Sequence, residues 1–352
     1  MNNDKPNYVP DTNRLNDVAI LRSFAIFSVV LYHCFWSPYL VFESSNIFIA
    51  SVELSSVYQS FFYTFMGARM PLFIFISGYL FSYLLNKRGK YTSVTGFIKK
   101  KFTRLIIPYV IFSLAMGLMF MNLTVTNFLQ GYMHLWFIVT LFWCFVIARL
   151  LTFANKSLLL QIAIFIISSI AINFEVTRFL CFDKLVKCFA WFWLGYIVML
   201  NRDRLGFIFT LPFILISCFI WLGCALYFEY FPVYDYPSEA FVRNVFLYFS
   251  FVFFIFMVFS FVNVALNKKI IKMKPWVDEL NKCSYGIYIF HQWLIIIITS
   301  KKIGRSFFPW IGTFGTEHSF IFPILLFIVV FTASILIARL FLKTSVGRFL
   351  IG

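Results

Sequence analysis

Arg22 and His33 stand eleven residues apart inside the run LRSFAIFSVVLYHCF. At about 3.6 residues per turn, eleven residues make roughly three helical turns, so in a helix the two side chains share one stripe about 16 Å apart. An imidazole can serve as a general base near neutral pH. A guanidinium is a permanent cation that can hold a phosphate or a developing oxyanion. Hydrocarbon makes both groups expensive, so their stripe must face a bundle interior, a cavity or a pathway. The purely structural account is an Arg snorkelling to the interface and a His satisfied by a neighbouring helix.

Other polar groups fall in apolar surroundings further along. Arg69 lies near the middle of the second apolar segment, in MGARMPLFIFISGYLF, where Pro71 is able to kink a helix and Ser77-Gly78 allow close helix approach. The following stretch, KRGKYTSVTGFIKKKFTRLIIPY, gathers Lys99, Lys100, Lys101 and Arg104 in little more than one turn. Such a cluster at a membrane face suits anionic lipid or a polyanionic cofactor, and the positive-inside rule accounts for it equally well. His134 and Trp136 open a later segment as HLWFI, FWLGY occupies 192 to 196, and CSYGIYIFHQW carries Ser284, Tyr285, Tyr288 and His291. Tyr288 and His291 are three apart and share a helix face.

The elements that position these groups follow from composition. A chain of 352 residues that is 61% hydrophobic and only 12% charged cannot bury its apolar side chains in a water-soluble core, and it reads as an all-α integral membrane protein. The net charge of +16 sits in a few short loops, with no basic face in a soluble domain, which argues against a nucleic-acid partner. Ten apolar windows of spanning length recur, at about 18 to 40, 58 to 85, 102 to 121, 134 to 152, 157 to 173, 185 to 200, 206 to 228, 241 to 266, 284 to 299 and 320 to 342. With the N-terminus inside, 22 Lys and Arg fall on the cytoplasmic side and 7 opposite, so both termini are expected in the cytoplasm. Residues 1–17 then form a cytoplasmic segment, 18–342 a ten-helix membrane domain and 343–352 a cytoplasmic tail. The leader carries acids as well as bases and no small-x-small site follows, so the first segment reads as a span rather than a cleaved signal. Seven cysteines form no C-x-x-C pair; Cys181 and Cys188 alone lie close enough to one external loop for a disulfide. No Walker loop, dinucleotide fingerprint or zinc spacing is present, so no metal is expected.

Together these motifs resemble the acyltransferase 3 family of membrane acyltransferases over nearly the whole chain. Arg22-x10-His33 is similar to that family's first-helix signature, PLFIFISGYL at 71 to 80 to its PLFFFISGFL-type stretch, and RLIIPY at 104 to 109 to the start of its third helix. HLWFI resembles the H-x-WF motif and CSYGIYIFH the S-x-x-x-Y-x-x-H element of a late helix. One departure concerns an acid that members often carry three residues before the motif Arg: that slot is Ala19 here, and Asp17 is the nearest carboxylate. A fused extracytoplasmic domain, found in some longer members, is not expected. The resemblance implies transfer of an acyl group, most often acetyl, from cytoplasmic acyl-CoA to a hydroxyl of a cell-surface or envelope carbohydrate, in a bacterial inner membrane. It makes His33 and Arg22 the candidate catalytic pair. Arg69, Ser77, His134, Trp136, Tyr288 and His291 are then supporting or substrate-binding residues, and Lys99, Lys100, Lys101 and Arg104 hold the CoA phosphates. Membrane lipid and a carbohydrate or glycolipid acceptor are the implied partners. Direct transfer with His33 as base and a relay through His33, Ser77 or Tyr288 both remain open. So does the division of labour between Arg22 and Arg69. The rival reading is a transporter or flippase for an anionic solute or lipid-linked glycan.

Overall fold

The computed structural model describes residues 12–40, 67–120, 123–230, 237–299 and 321–352, together with 310, 311, 314 and 318. Every regular element among them is helical. The first is α1 (Thr12–Leu40); α2 (Arg69–Ser82) follows and ends in a wider π turn, Tyr83–Lys87. A short α3 (Val94–Lys101) runs through a second π turn, Phe102–Ile106, into α4 (Ile107–Phe120). A one-turn α5 (Val125–Leu129) and a 3-10 turn at Met133–Leu135 lead into α6 (Trp136–Leu150). Then come α7 (Leu158–Ala171), α8 (Phe182–Leu200), α9 (Leu211–Tyr230) and α10 (Pro237–Asn267). The last three are α11 (Pro275–Thr299), α12 (Phe322–Lys343) and α13 (Ser345–Ile351). Ser93, Ser157 and Thr344 start α3, α7 and α13 by accepting the amide three residues on, as good N-caps do.

Among the described residues each apolar window meets a helix; 58–66 of the second window lie outside them. Among the described residues five helical stretches are long and apolar enough to cross a membrane: Asn16–Phe35, Val94–Phe120, Val125–Lys156, Asn244–Asn267 and Phe322–Lys343. The chain is therefore an all-α integral membrane protein. Two windows are redrawn. In the second, residues 67 and 68 form a turn and α2 opens at Arg69, so Pro71 sits in a first turn, where its missing N–H costs nothing, instead of kinking the helix. In the ninth, α11 begins at Pro275, nine residues before the apolar run from 284. Cys181 and Cys188 are both free thiols.

α1 is the hub, packing against α2, α10, α11 and α12. It runs parallel to α11: Ser23 Oγ donates to Val277 O (3.3 Å), Arg22 Nη1 to Asn281 Oδ1 (3.4 Å), and His33 meets His291. The closest crossing is α2 on α8, where two glycines face each other's helix. A Cβ on Gly78 would collide with the Phe192 carbonyl, and one on Gly195 with the Phe75 carbonyl. The small residues of the ISGYL and WLGY stretches thus let two backbones touch.

A buried polar knot ties four of these helices together. Asp17, wholly buried at the start of α1, pairs with Arg202 in the turn after α8 (3.2 Å). Arg202 also donates to Asn263 Oδ1 on α10 (2.6 Å) and to the Tyr79 hydroxyl on α2. Asp17 thus serves Arg202 and leaves Arg22 to Asn281. Removing one member of a buried pair strands the other, at a cost of about 3–5 kcal/mol. Arg202→Ala is expected to lose stability of that order in thermal or denaturant unfolding of the solubilised protein, while Arg204→Ala, at an exposed position two residues on, stays near wild type.

Candidate functional site

α1, α2, the α3–α4 junction, α6, α11 and the α12–α13 end enclose a cavity of about 720 Å³. That is within the roughly 300–1,000 Å³ range of small-molecule sites. Its polar lining is strongly one-signed. Arg22, Lys101, Arg104, Lys282 and Arg348 all border it, and among the described residues no Asp or Glu side chain does. Asn281, Ser77, Ser284, Tyr91, Tyr285 and Tyr288 supply neutral polar groups, and Phe73, Leu80, Phe81, Phe137, Ile138, Leu141 and Phe145 the apolar wall.

The basic residues are set by local structure. The π turn at Phe102–Ile106 carries Arg104, and such bulges recur at functional sites. Lys101 lies half-buried with its Nζ 3.4 Å above the Phe145 ring, a cation–π contact that holds it beside the cavity. Arg104 donates to the Gly352 carbonyl, which brings the end of α13 to the same rim. Arg348 donates to the Leu342 and Lys343 carbonyls at the end of α12. Lys99 and Lys100 are exposed on α3 and do not line the cavity.

Tyr288 is shared between the cavity and a cluster of imidazoles beyond it. Its ring lies 5.4 Å from that of His134 and 5.9 Å from that of His291, and its hydroxyl donates to the His134 carbonyl. His291 sits between two partners, with ring centroids 5.1 Å from His33 and 5.1 Å from His134. His291 and His134 are buried, at 0% and 7% exposure, whereas His33 retains accessible surface. Tyr32 packs edge-on to His33 (5.5 Å), and the Arg69 guanidinium lies 3.2 Å over the Tyr32 ring. The two arginines of the sequence reading are therefore separated: Arg22 borders the cationic cavity, and Arg69 stands at the His33 end of α1.

The remaining expected residues are placed less centrally. Ser77 lines the cavity, but its hydroxyl donates to Phe73 O one turn back (3.0 Å). Trp136 stands outside the cavity lining, with Lys184 Nζ 6.0 Å from its ring. Asn281, Lys282, Tyr285 and Arg348 were not singled out as site residues from sequence alone. The first two lie in the polar opening of α11, where Lys-Pro followed by Asp278 and Glu279 is a helix-start signature that hydropathy passes over. Nothing in the sequence around Arg348 points to the cavity.

A family model described as an acyltransferase domain matches residues 15–341. No curated protein and no solved structure matches the chain. The matched stretch contains all three clustered histidines, both arginines of the α1–α2 pair and four of the five cavity cations. With a match running from the first turns of α1 almost to the end of α12, the chain belongs to the acyltransferase 3 family.

Proposed function

We propose that this protein moves an acetyl group from cytoplasmic acyl-CoA to a hydroxyl of a cell-surface or envelope carbohydrate. The observation that carries the reading is a cavity with five basic side chains and no acidic side chain among its described lining residues, ending at a tyrosine packed against His134 and His291, the second of which meets His33. A donor with several phosphates at one end and a thioester at the other has that polarity. Lys101, Arg104, Lys282 and Arg348 take the phosphates at the rim, and Arg22, steadied by Asn281, holds the donor deeper. Lys99 and Lys100, turned outward, meet anionic lipid headgroups.

Attack of an alcohol on a thioester needs a base and a cation for the developing oxyanion. His33 is the base, since it is the most exposed of the three histidines, and Arg69 at the same end of α1 is the oxyanion partner. Direct transfer is favoured over a relay through Ser77 or Tyr288 because both hydroxyls are already donated to backbone carbonyls. His134 and Trp136 lie on the acceptor side.

The same reading sets ten spans with both termini in the cytoplasm of a bacterial inner membrane. Support comes from the charge count and from the gathering of Lys101, Arg104, Lys282 and Arg348 at one cavity. It also comes from the parallel α1 and α11, which need an odd number of crossings between them.

Purified protein in lipid nanodiscs should release thiol from acetyl-CoA and transfer the acetyl group to a sugar hydroxyl. His33→Ala is expected to lower that rate by about 10² to 10⁴ at equal protein level. Wild-type turnover by His33→Ala would remove His33 from the chemistry, and uptake of an anionic solute without thiol release would favour a transporter.

The donor site makes a separate expectation. Replacing Lys101, Arg104, Lys282 and Arg348 together by Gln should raise the KM for acetyl-CoA on the order of tenfold or more and flatten its salt dependence, with the acceptor KM unchanged. Lys99→Gln with Lys100→Gln should change it far less. Equal effects of the two sets in steady-state kinetics would argue against the cavity as the donor site.

A further inference from the structure

The three clustered histidines differ in how their nitrogens are used. His134 Nε2 lies 3.1 Å from Ile289 O, and His291 Nδ1 lies 3.0 Å from Ile287 O. A carbonyl only accepts, so each ring places its proton on the nitrogen that faces it, and the neutral tautomer of both rings is set by the backbone of α11. Each ring is left with one nitrogen carrying a bare lone pair: Nδ1 of His134 and Nε2 of His291. Both atoms are buried and without a hydrogen-bond partner among the described residues. Buried polar atoms in that state are rare and call for an explanation.

The explanation offered by position is His33. Its ring centroid is 5.1 Å from that of His291, with the planes tilted by 46°, and it is the most exposed member of the cluster. An imidazole that takes a proton in an apolar interior becomes a cation there, and an isolated charge in such surroundings is costly. The Arg69 guanidinium at the same end of α1 adds to that cost. A neighbouring ring with a bare, fixed acceptor nitrogen lowers it, because a hydrogen bond from a charged donor is about twice as strong as a neutral one.

We propose that His291 is a positioning and proton-sharing partner of His33, acting through Nε2. This rests on the acyl-transfer reading above and adds a residue to its mechanism. The acceptor O–H bond breaks and its proton passes to His33, whose imidazolium N–H is then donated to Nε2 of His291. As the new C–O bond forms, the C–S bond breaks and its electron pair leaves on sulfur. The shared proton then goes to the thiolate, so both rings end neutral and nothing else is consumed. His134 completes the row from the far side and anchors Tyr288, which borders the cationic cavity, through its carbonyl.

The test uses full-length protein in nanodiscs, acetyl-CoA as donor, methyl glucoside as the acceptor hydroxyl, and thiol release as the readout, which counts transfer to sugar and to water alike. His291→Phe keeps a ring of similar size and removes the acceptor nitrogen. It should lower kcat about ten- to hundredfold, with both KM values within twofold of wild type. His291→Ala should lose a similar factor and regain much of it with added imidazole, which His291→Phe has no room to admit. Unchanged kcat in His291→Phe would overturn the proposal. So would a loss accompanied by raised KM, a lowered melting midpoint and no imidazole rescue, since that pattern belongs to a packing role. If His33→Ala turns over like wild type, or wild type releases no thiol, the acyl-transfer reading fails and this proposal falls with it. If His33→Ala is inactive and His291→Phe is not, only the proposal fails.

Discussion

A guanidinium or an imidazole inside an apolar bundle must find its partner within the bundle, because neither water nor lipid supplies one. In this protein α11 supplies partners to α1 at three levels, Val277 to Ser23, Asn281 to Arg22 and His291 to His33. The rest of the architecture is arranged around that pairing. α2 and α8 touch backbone to backbone through Gly78 and Gly195, which brings Ser77 to the cavity, and the Asp17–Arg202 knot holds α1, α2 and α10 together at the other end of α1.

Much of the fold is legible in the sequence because hydrocarbon imposes length and composition on each helix. Among the described residues the apolar windows overlap helices for that reason. Their edges are less legible where polarity serves a cavity instead of an interface. The stretch PWVDELNK is too polar to read as membrane helix, yet it forms the first two turns of α11 and delivers Asn281 and Lys282 to the cavity. In the second window Arg69 and Pro71 look like an interruption, but they start a helix.

The site was half legible. Arg22 and His33 stand out because charged and titratable side chains are rare in an apolar helix, and both do face α11. Spacing along one helix shows that Tyr288 and His291 share a face. It does not show that His134, some 155 residues away, closes on the same point, since that depends on how α6 and α11 pack. The basic run at 99 to 104 was read as a block. Its helical geometry divides it, with Lys101 and Arg104 turned to the cavity and the two lysines before them turned away. Arg348 reaches the cavity only through the fold of α13 against α12, for which no local pattern exists.

The α1–α11 pairing has a consequence for biogenesis. Arg22 and its partner Asn281 are 259 residues apart, so at about 5–20 residues per second the ribosome completes α11 on the order of ten to fifty seconds after α1. Throughout that interval α1 carries a guanidinium and an imidazole whose permanent contacts have not been made. The polar pairing of α1 is therefore complete only once the second-to-last long helix among the described residues has been made. The order of assembly is thus imposed by the chemistry of the site itself.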